Sequence, residues 1–207
     1  MLNLVVDWGD GIINNSNTHT YTEGGVKTIK IKGYIIFDGF NNTGDRRKIR
    51  EITSWGQIYL SGQNIFRGCN NLSLANAAGK PIIGTRLDGF LRDNTSVVKV
   101  NGINTWDTSN CQNFSDFARG SSVFNDNIGN WNFTGVINAT YFQNFMLGRT
   151  YLNYSASNYD ALLVGLANQV SGLVANVNLT MGTIRHTSIG TAAKAILFTE
   201  KNWTFTD

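Results

Sequence analysis

Asn104 to Phe117 read NTWDTSNCQNFSDF, and Phe124 to Trp131 read FNDNIGNW. Trp106 and Trp131 stand 25 residues apart in this stretch, and Trp55 precedes the first of them by 51. A marker missing near Lys80 splits the longer interval, so the chain from residue 51 onward reads as about four copies of a unit of about 25 residues. Counting on from each Trp, the fifth residue is Leu60, Cys111 and Val136, and the eleventh is Phe66, Phe117 and Phe142. A weaker copy beginning near Gly79 supplies Leu87 and Phe90 where the third copy has Phe114 and Phe117. Apolar side chains at fixed offsets in a fixed period are what a solenoid requires, because each coil buries its hydrophobic face against the next and is unstable alone. The expected structural core of the repeats is Trp55, Leu60, Phe66, Phe90, Trp106, Cys111, Phe114, Phe117, Trp131, Val136 and Phe142.

On the N-terminal side of the repeats the pattern changes to period two. Residues 2–6, LNLVV, read as a strand entering the turn Asp7-Trp8-Gly9-Asp10-Gly11. After a polar loop come His19-Thr20-Tyr21, the turn Glu23-Gly24-Gly25, and Val26 to Gly33, which reads as a half-buried strand with Lys27, Lys30 and Lys32 near solvent. Tyr34 to Phe37 are expected to extend this sheet, with a loop to follow. On the C-terminal side, Ser157 to Ala167 place Leu162, Leu163 and Leu166 on one face behind a capping Ser or Asn, which predicts an amphipathic helix. Val177 to Met181 read as a strand, Thr191 to Phe198 as a second helix and Trp203 to Thr206 as a closing strand.

The third copy, W-D-T-S-N-C-Q-N-F-S-D-F followed by F-N-D-N-I-G-N-W, resembles the BspA-type leucine-rich repeat of bacterial surface proteins. Cys111 stands where that pattern has Val, and Phe114 and Phe117 where it has Met. The resemblance covers roughly residues 50–205 and extends to the Tyr159-Asp160-Ala161-Leu162-Leu163 helix and the closing Asn202-Trp203-Thr204-Phe205-Thr206-Asp207 strand, which it implies form a C-terminal cap. The WGDG turn, HTY, a Gly turn and the KTIKI strand resemble one half of a PKD-type immunoglobulin-like sandwich over about forty residues, a half-motif that serves as an N-terminal cap to such repeats. The expected fold class is thus α+β. A β-rich PKD-like segment at 1–48 leads into a leucine-rich-repeat solenoid of about four coils at 49–155, closed by a helix-strand-helix-strand cap at 156–207.

Composition narrows the chemistry. The 207 residues carry 42% hydrophobic and only 15% charged side chains, with Asn, Thr, Ser and Gly covering the solvated faces, as stacked turns require. The formal net charge is +3, and the basic cluster Arg46, Arg47, Lys48 and Arg50 is read as a solvated loop rather than as a phosphate or anionic-glycan site, so no nucleic acid is expected as a partner. Cys69 and Cys111 fall at different offsets in the repeat and read as small core residues, not as a bridge. His19 and His186 lie 167 residues apart with no metal-ligand spacing, so each is read as a structural hydrogen-bonder. Asp7 and Asp10 are read as Asx-turn devices rather than calcium ligands, and Asp107, Asp116 and Asp126 as acceptors for backbone amides in the repeat turns. No nucleophile elbow, phosphate-cradling Gly loop or carboxylate pair is present, so neither catalytic nor metal residues nor a cofactor are expected. No apolar stretch is long enough to cross a membrane, and MLNLVVDWGD lacks the features of a secretory signal.

The functional expectation is therefore a non-catalytic virion surface protein of a phage, a spike or tail-fibre module that binds a host receptor or glycan and works as a homo-oligomer or attached to other virion proteins. The alternative is a fragment of a bacterial cell-surface adhesin of the leucine-rich-repeat type, placed on the cell surface. An accessory domain of a glycan-active enzyme is a third class. Which residues would touch a ligand is open.

Overall fold

Val5 and Val6 end the leading apolar run, and the Asp-Gly turn behind them folds the chain back on itself. A computed structural model describes residues 4–207. Of the expected first strand, Leu2 and Asn3 lie outside the described residues. Strands β1 (Val5–Asp7), β2 (Ile13–Asn14) and β3 (Lys30–Lys32) form an antiparallel sheet in the order β2-β1-β3, with Val6 opposite both Asn14 and Ile31. Asp7 Oδ1 accepts from Gly9 N at 3.0 Å and Asp10 Oδ1 from Ile12 N at 3.1 Å, so both carboxylates serve the turn. The half-buried strand expected over 26–33 is shorter and more open. Only Lys30–Lys32 is extended in the ladder, and all three of its residues, Ile31 included, are exposed.

Tyr34 to Phe37 do not extend this sheet. Strand β4 (Ile35–Phe37) pairs in parallel with β5 (Ile58–Leu60), which pairs in parallel with β6 (Ile82–Ile83). The change from antiparallel to parallel pairing therefore falls at Gly33, inside the segment read as 1–48. Parallel neighbours here are joined by whole passes of chain. Ile35 faces Ile58, Tyr59 faces Ile82, and isolated parallel bridges join Leu74 to Val100 and Arg86 to Asn113.

The passes stack in tiers, and left-handed residues set their register. Asn64, Gly89, Asp116 and Asn144 all have φ between 53° and 64°, and four residues after each come Gly68, Asp93, Gly120 and Gly148, also at positive φ. These are the residue types that tolerate the left-handed region, so two sharp corners recur in every tier. Between the corners the backbones are laddered. Phe66 N donates to Phe90 O at 2.9 Å, Leu91 N to Phe117 O at 2.8 Å and Ala118 N to Phe145 O at 3.0 Å. The residues after the first corner, Ile65, Phe90, Phe117 and Phe145, form one inward column, and the next, Phe66, Leu91, Ala118 and Met146, form a second.

This register differs from a count from the tryptophans. Phe145, not Phe142, is stacked on Phe117, with centroids 5.6 Å apart, while Phe142 stacks on Phe114 at 6.2 Å. The slack is taken up by a 3-10 turn at Ala139–Phe142, capped by the Asn138 side chain on Thr140 N. In the interval where the Trp marker is missing lies Pro81, buried 26 residues after Trp55 and 25 before Trp106. Trp55 and Trp106 themselves meet edge to face, with ring centroids 5.5 Å apart. Trp55, Leu60, Phe66, Phe90, Trp106, Cys111, Phe114, Phe117, Trp131, Val136 and Phe142 all lie buried in a single hydrophobic cluster that runs from Trp55 to Trp203.

The last tier passes through β7 (Arg149–Thr150) into α1 (Ala156–Asn168), then β8 (Asn178–Thr180), β9 (Gly182–Thr183), α2 (Ser188–Lys201) and β10 (Thr204–Thr206). β7 pairs with β9 and β8 with β10, both in parallel. The cap of α1 is Ser155, upstream of the expected Ser157 or Asn158, and its hydroxyl accepts from Asn158 N at 3.2 Å. Gly165 lets this helix lie directly on the preceding tier, since a Cβ there would fall 1.9 Å from Gly129 O. Asp160 ties the two helices, accepting from Thr187 N at 3.0 Å and Thr187 Oγ1 at 2.6 Å at the start of α2.

Candidate interaction surface

Each tier carries one residue between its second inward column and its second corner: Arg67, Arg92, Arg119 and Leu147. The position follows the two inward columns and is part-exposed in every one of these tiers. Arg67 Nε donates to Asp93 Oδ2 at 3.0 Å, Arg92 Nη1 to Asp116 Oδ2 at 3.0 Å, and Arg119 Nη1 lies 3.4 Å from Asp116 Oδ1. The three arginines and two aspartates thus form a ladder of ion pairs running across the tiers along an exposed edge, with side chains 22% to 46% accessible. Such exposed pairs add little stability one by one, but they fix the rotamers of long side chains and give the edge a definite pattern of charge. Asp116, expected to serve backbone amides, instead sits at a corner with φ 54° and anchors two of these pairs.

The ladder continues at both sides. Asn64 Nδ2 donates to Asn41 Oδ1 at 3.0 Å on the pass of chain before these tiers, where Arg46 packs beside Gly68. Lys48 pairs with Asp45 at 2.7 Å in the same basic loop. On the neighbouring strip, Arg86 grips Asp88 through Nε at 2.7 Å and Nη2 at 2.8 Å and reaches Gln63 at 3.3 Å. The Asp88 hydrogen bonds hold the Arg86 guanidinium above its ordinary pKa. The sequence carries a signal for this edge that the Trp-based count passes over, in the runs N-I-F-R-G, G-F-L-R-D, D-F-A-R-G and N-F-M-L-G.

The thiols, the histidines and the turn carboxylates elsewhere are buried or bonded within the fold. Cys69 and Cys111 are free and buried, and burial pushes both thiols up to about 12, which keeps them protonated. His19 Nε2 lies 2.7 Å from Asp10 Oδ2 and its ring stacks on Trp8 at 5.0 Å, so it belongs to the turn. Its hydrogen bond holds the Asp10 carboxyl below the usual carboxylate range. His186 Nδ1 lies 3.1 Å from Thr187 O at the entrance to α2. Asp107 Oδ1 accepts from Ser109 N at 3.0 Å, and Asp126 accepts from Val100 N and Asn127 N, both at 3.0 Å. Asp207 bonds both Tyr159 and Lys194, clamping the closing strand to α1 and α2. Among the described residues no group of three or more His, Cys, Asp or Glu side chains converges as a metal site, and no helix is long and apolar enough to cross a membrane.

Residues 85–178 match a protein family described as "Mycoplasma protein of unknown function, DUF285". The matched stretch is less than half of the chain and contains the third and fourth copies together with α1, and it loosely fits the surface-protein resemblance read from W-D-T-S-N and F-N-D-N-I. No curated protein and no solved structure matches the chain.

Proposed function

We propose that the chain is a non-catalytic surface recognition module, in which the tiers form a short solenoid of the leucine-rich-repeat type between a β-rich, PKD-like N-terminal segment and an α/β C-terminal cap. The observation that carries this reading is the cross-tier ladder of Arg67, Arg92, Arg119, Asp93 and Asp116 on a rigid, aromatic-cored stack. A stack of this kind presents side chains at a fixed repeat on an extended surface, the arrangement repeat proteins use for binding. The thiols, histidines and carboxylates described above are each committed to folding contacts, which supports binding over turnover. No cofactor enters this reading, and a receptor protein or glycan is the partner class it implies.

The family description names a bacterium, which favours a bacterial cell surface over the phage spike or tail fibre as the place where the module works. Ile189, Ile196 and Phe198 are exposed on α2, which supports attachment to a larger assembly or to a second copy through the C-terminal cap. Antibody raised against the whole chain tests the placement on cells of the source organism and on purified phage particles. The expected result is labelling of intact cells. Labelling confined to permeabilised cells overturns the surface reading, and labelling of particles alone returns it to the virion.

A further inference from the structure

The basic loop and the ion-pair ladder are separate in sequence and meet on one edge of the stack. Gly68 is the second corner of the tier that carries Arg67, and a Cβ there would lie 3.2 Å from Arg46 Nε. Asn71 Nδ2, just past that corner, donates to the Arg47 carbonyl at 2.7 Å. Arg46 and Arg47 thus stand beside Arg67, and the row runs on through Arg92 and Arg119. Backbone bonds hold it in register, since Gly68 N donates to Arg92 O at 3.1 Å and Asp93 N to Arg119 O at 2.9 Å. With Lys48 the edge carries six basic side chains against three acidic ones, Asp45, Asp93 and Asp116. That excess equals the formal net charge of the whole chain, +3, so the charge is gathered in one row.

The ladder uses only part of each guanidinium. Arg67 is held through Nε, Arg92 and Arg119 through Nη1. Among the described residues no acceptor is bonded to either Nη of Arg67 or to Nη2 of Arg92 and Arg119, and the three side chains are 25%, 24% and 40% accessible. Arg47 is exposed. An aspartate that fixes one side of a guanidinium reduces the rotamer entropy lost when the other side binds, and the remaining N–H donors fit a planar oxyanion such as a carboxylate.

Charge density selects among anionic partners. Hydrogen-bonded passes lie about 4.8 Å apart, so the row offers about one guanidinium per step of that length. Duplex nucleic acid carries one charge per about 1.7 Å of axis, and most of its phosphates would meet no cation here while others would meet Asp93 or Asp116. A polysaccharide spaces its charges by whole sugar rings and places hydroxyls between them, where the accessible Asp93 carboxylate is an acceptor. The positions between the guanidiniums are held by Gly68, Asp93, Asp116 and Gly120, with no aromatic ring among them on which a base would stack.

We infer that this edge binds a linear anionic polysaccharide whose sugars carry carboxylates, with Arg47, Arg67, Arg92 and Arg119 as the cations that meet them. The inference rests on the recognition reading above and names the partner class of the ladder.

The test measures binding of the full chain to immobilised polygalacturonate by interferometry, with neutral dextran and duplex DNA as competitors. Saturable binding is expected that weakens as salt rises, is untouched by dextran and is displaced less by DNA than by free polygalacturonate of equal charge. Arg67→Gln combined with Arg92→Gln is expected to weaken it by roughly tenfold or more, the loss of two charge-assisted contacts. Lys30→Gln combined with Lys32→Gln removes the same charge from the exposed strand β3 and is expected to change it by less than about twofold. Should the arginine pair be needed for folding, the exposed Arg47→Gln is expected to weaken binding by about threefold. Absence of saturable binding, an equal loss in the arginine and lysine variants, or displacement by DNA as effective as by polygalacturonate overturns the proposal. None of these results bears on the labelling of intact cells, so a failure here is distinct from a failure of the surface reading.

Discussion

The N-terminal sheet and the tier stack are built from the same kinds of residue, yet the sheet buries Val6 and Trp8 while the apolar residues of its third strand stay open. Ile29 and Ile31, in the alternating run before Gly33, are each 47% exposed, whereas Phe90 and Phe117 in the stack are fully buried. The sheet closes over itself with short-range bonds: Trp8 Nε1 to Asn14, Tyr21 to the Trp8 carbonyl, His19 to Asp10. The stack closes with bonds between residues about one tier apart, and every inward column touches the next. Alternation supplies one apolar face per strand, and a three-stranded sheet has nothing of its own to lay against that face. A repeat supplies its own partner, because the apolar face of one tier is the cover of its neighbour. Hydrophobicity alone therefore did not decide burial; the presence of a second layer did.

The sharpest way to break this contrast is to open the stack at its centre. Trp131 packs on Trp106, Phe114, Phe117 and Phe133, and its Nε1 donates to Ile103 O at 2.7 Å. Trp131→Ala is expected to cost about 3 to 5 kcal/mol in urea unfolding, and to lower the stability of tiers on both sides. A loss under about 1 kcal/mol would mean that the tiers do not share one core. A smaller break removes a single polar link between tiers. Asn94→Ala removes the bond to Cys69 O and leaves the Ser96 and Val97 amides without their acceptor, and is expected to cost about 1 to 3 kcal/mol, read as a shift of the urea midpoint without change of slope.

Acid separates the two regions most gently. The folded pKa of Asp10 is depressed, first by its hydrogen bond to His19, so its contribution is present above the unfolded carboxylate value, about 3.9, and is lost as pH falls below it. Between pH 5 and pH 2, the protection of the Val5–Asp7 and Lys30–Lys32 amides against exchange, relative to the intrinsic rate at each pH, is expected to fall more than that of the ladder from Phe66 to Phe145. Asp10→Asn should remove that pH response while leaving the stack unchanged. An equal fall in both regions would show that they unfold as one unit.

Much of the stack was legible because its logic is one-dimensional. Trp106, Phe114, Phe117 and Trp131 recur at spacings that only stacked passes would bury together, and the Leu162, Leu163 and Leu166 face announces α1. The corner residues were less visible, since Asn64, Gly89, Asp116 and Asn144 share a backbone conformation and not a residue type. Counting from tryptophan slips by one residue in the tier of Phe66 and by three in the tier of Phe145, because loops absorb insertions while the hydrogen-bonded corners do not. The part-exposed arginines at 67, 92 and 119 stand in plain view in the sequence, yet their pairing with Asp93 and Asp116 depends on which tiers are neighbours.

By itself, then, the sequence determined that this chain repeats, which side chains are apolar at each offset, and where two helices close its C-terminal end. Those properties are local and survive small errors of alignment. Only the tertiary structure decided that Ile35–Phe37 joins the parallel stack rather than the leading sheet, that Phe145 rather than Phe142 lies over Phe117, and that Arg149 stands inside. Each of these is a choice of neighbour across a tier. A strand's own residues do not encode which edge it will meet, and a side chain's burial depends on what the next pass of the chain places above it.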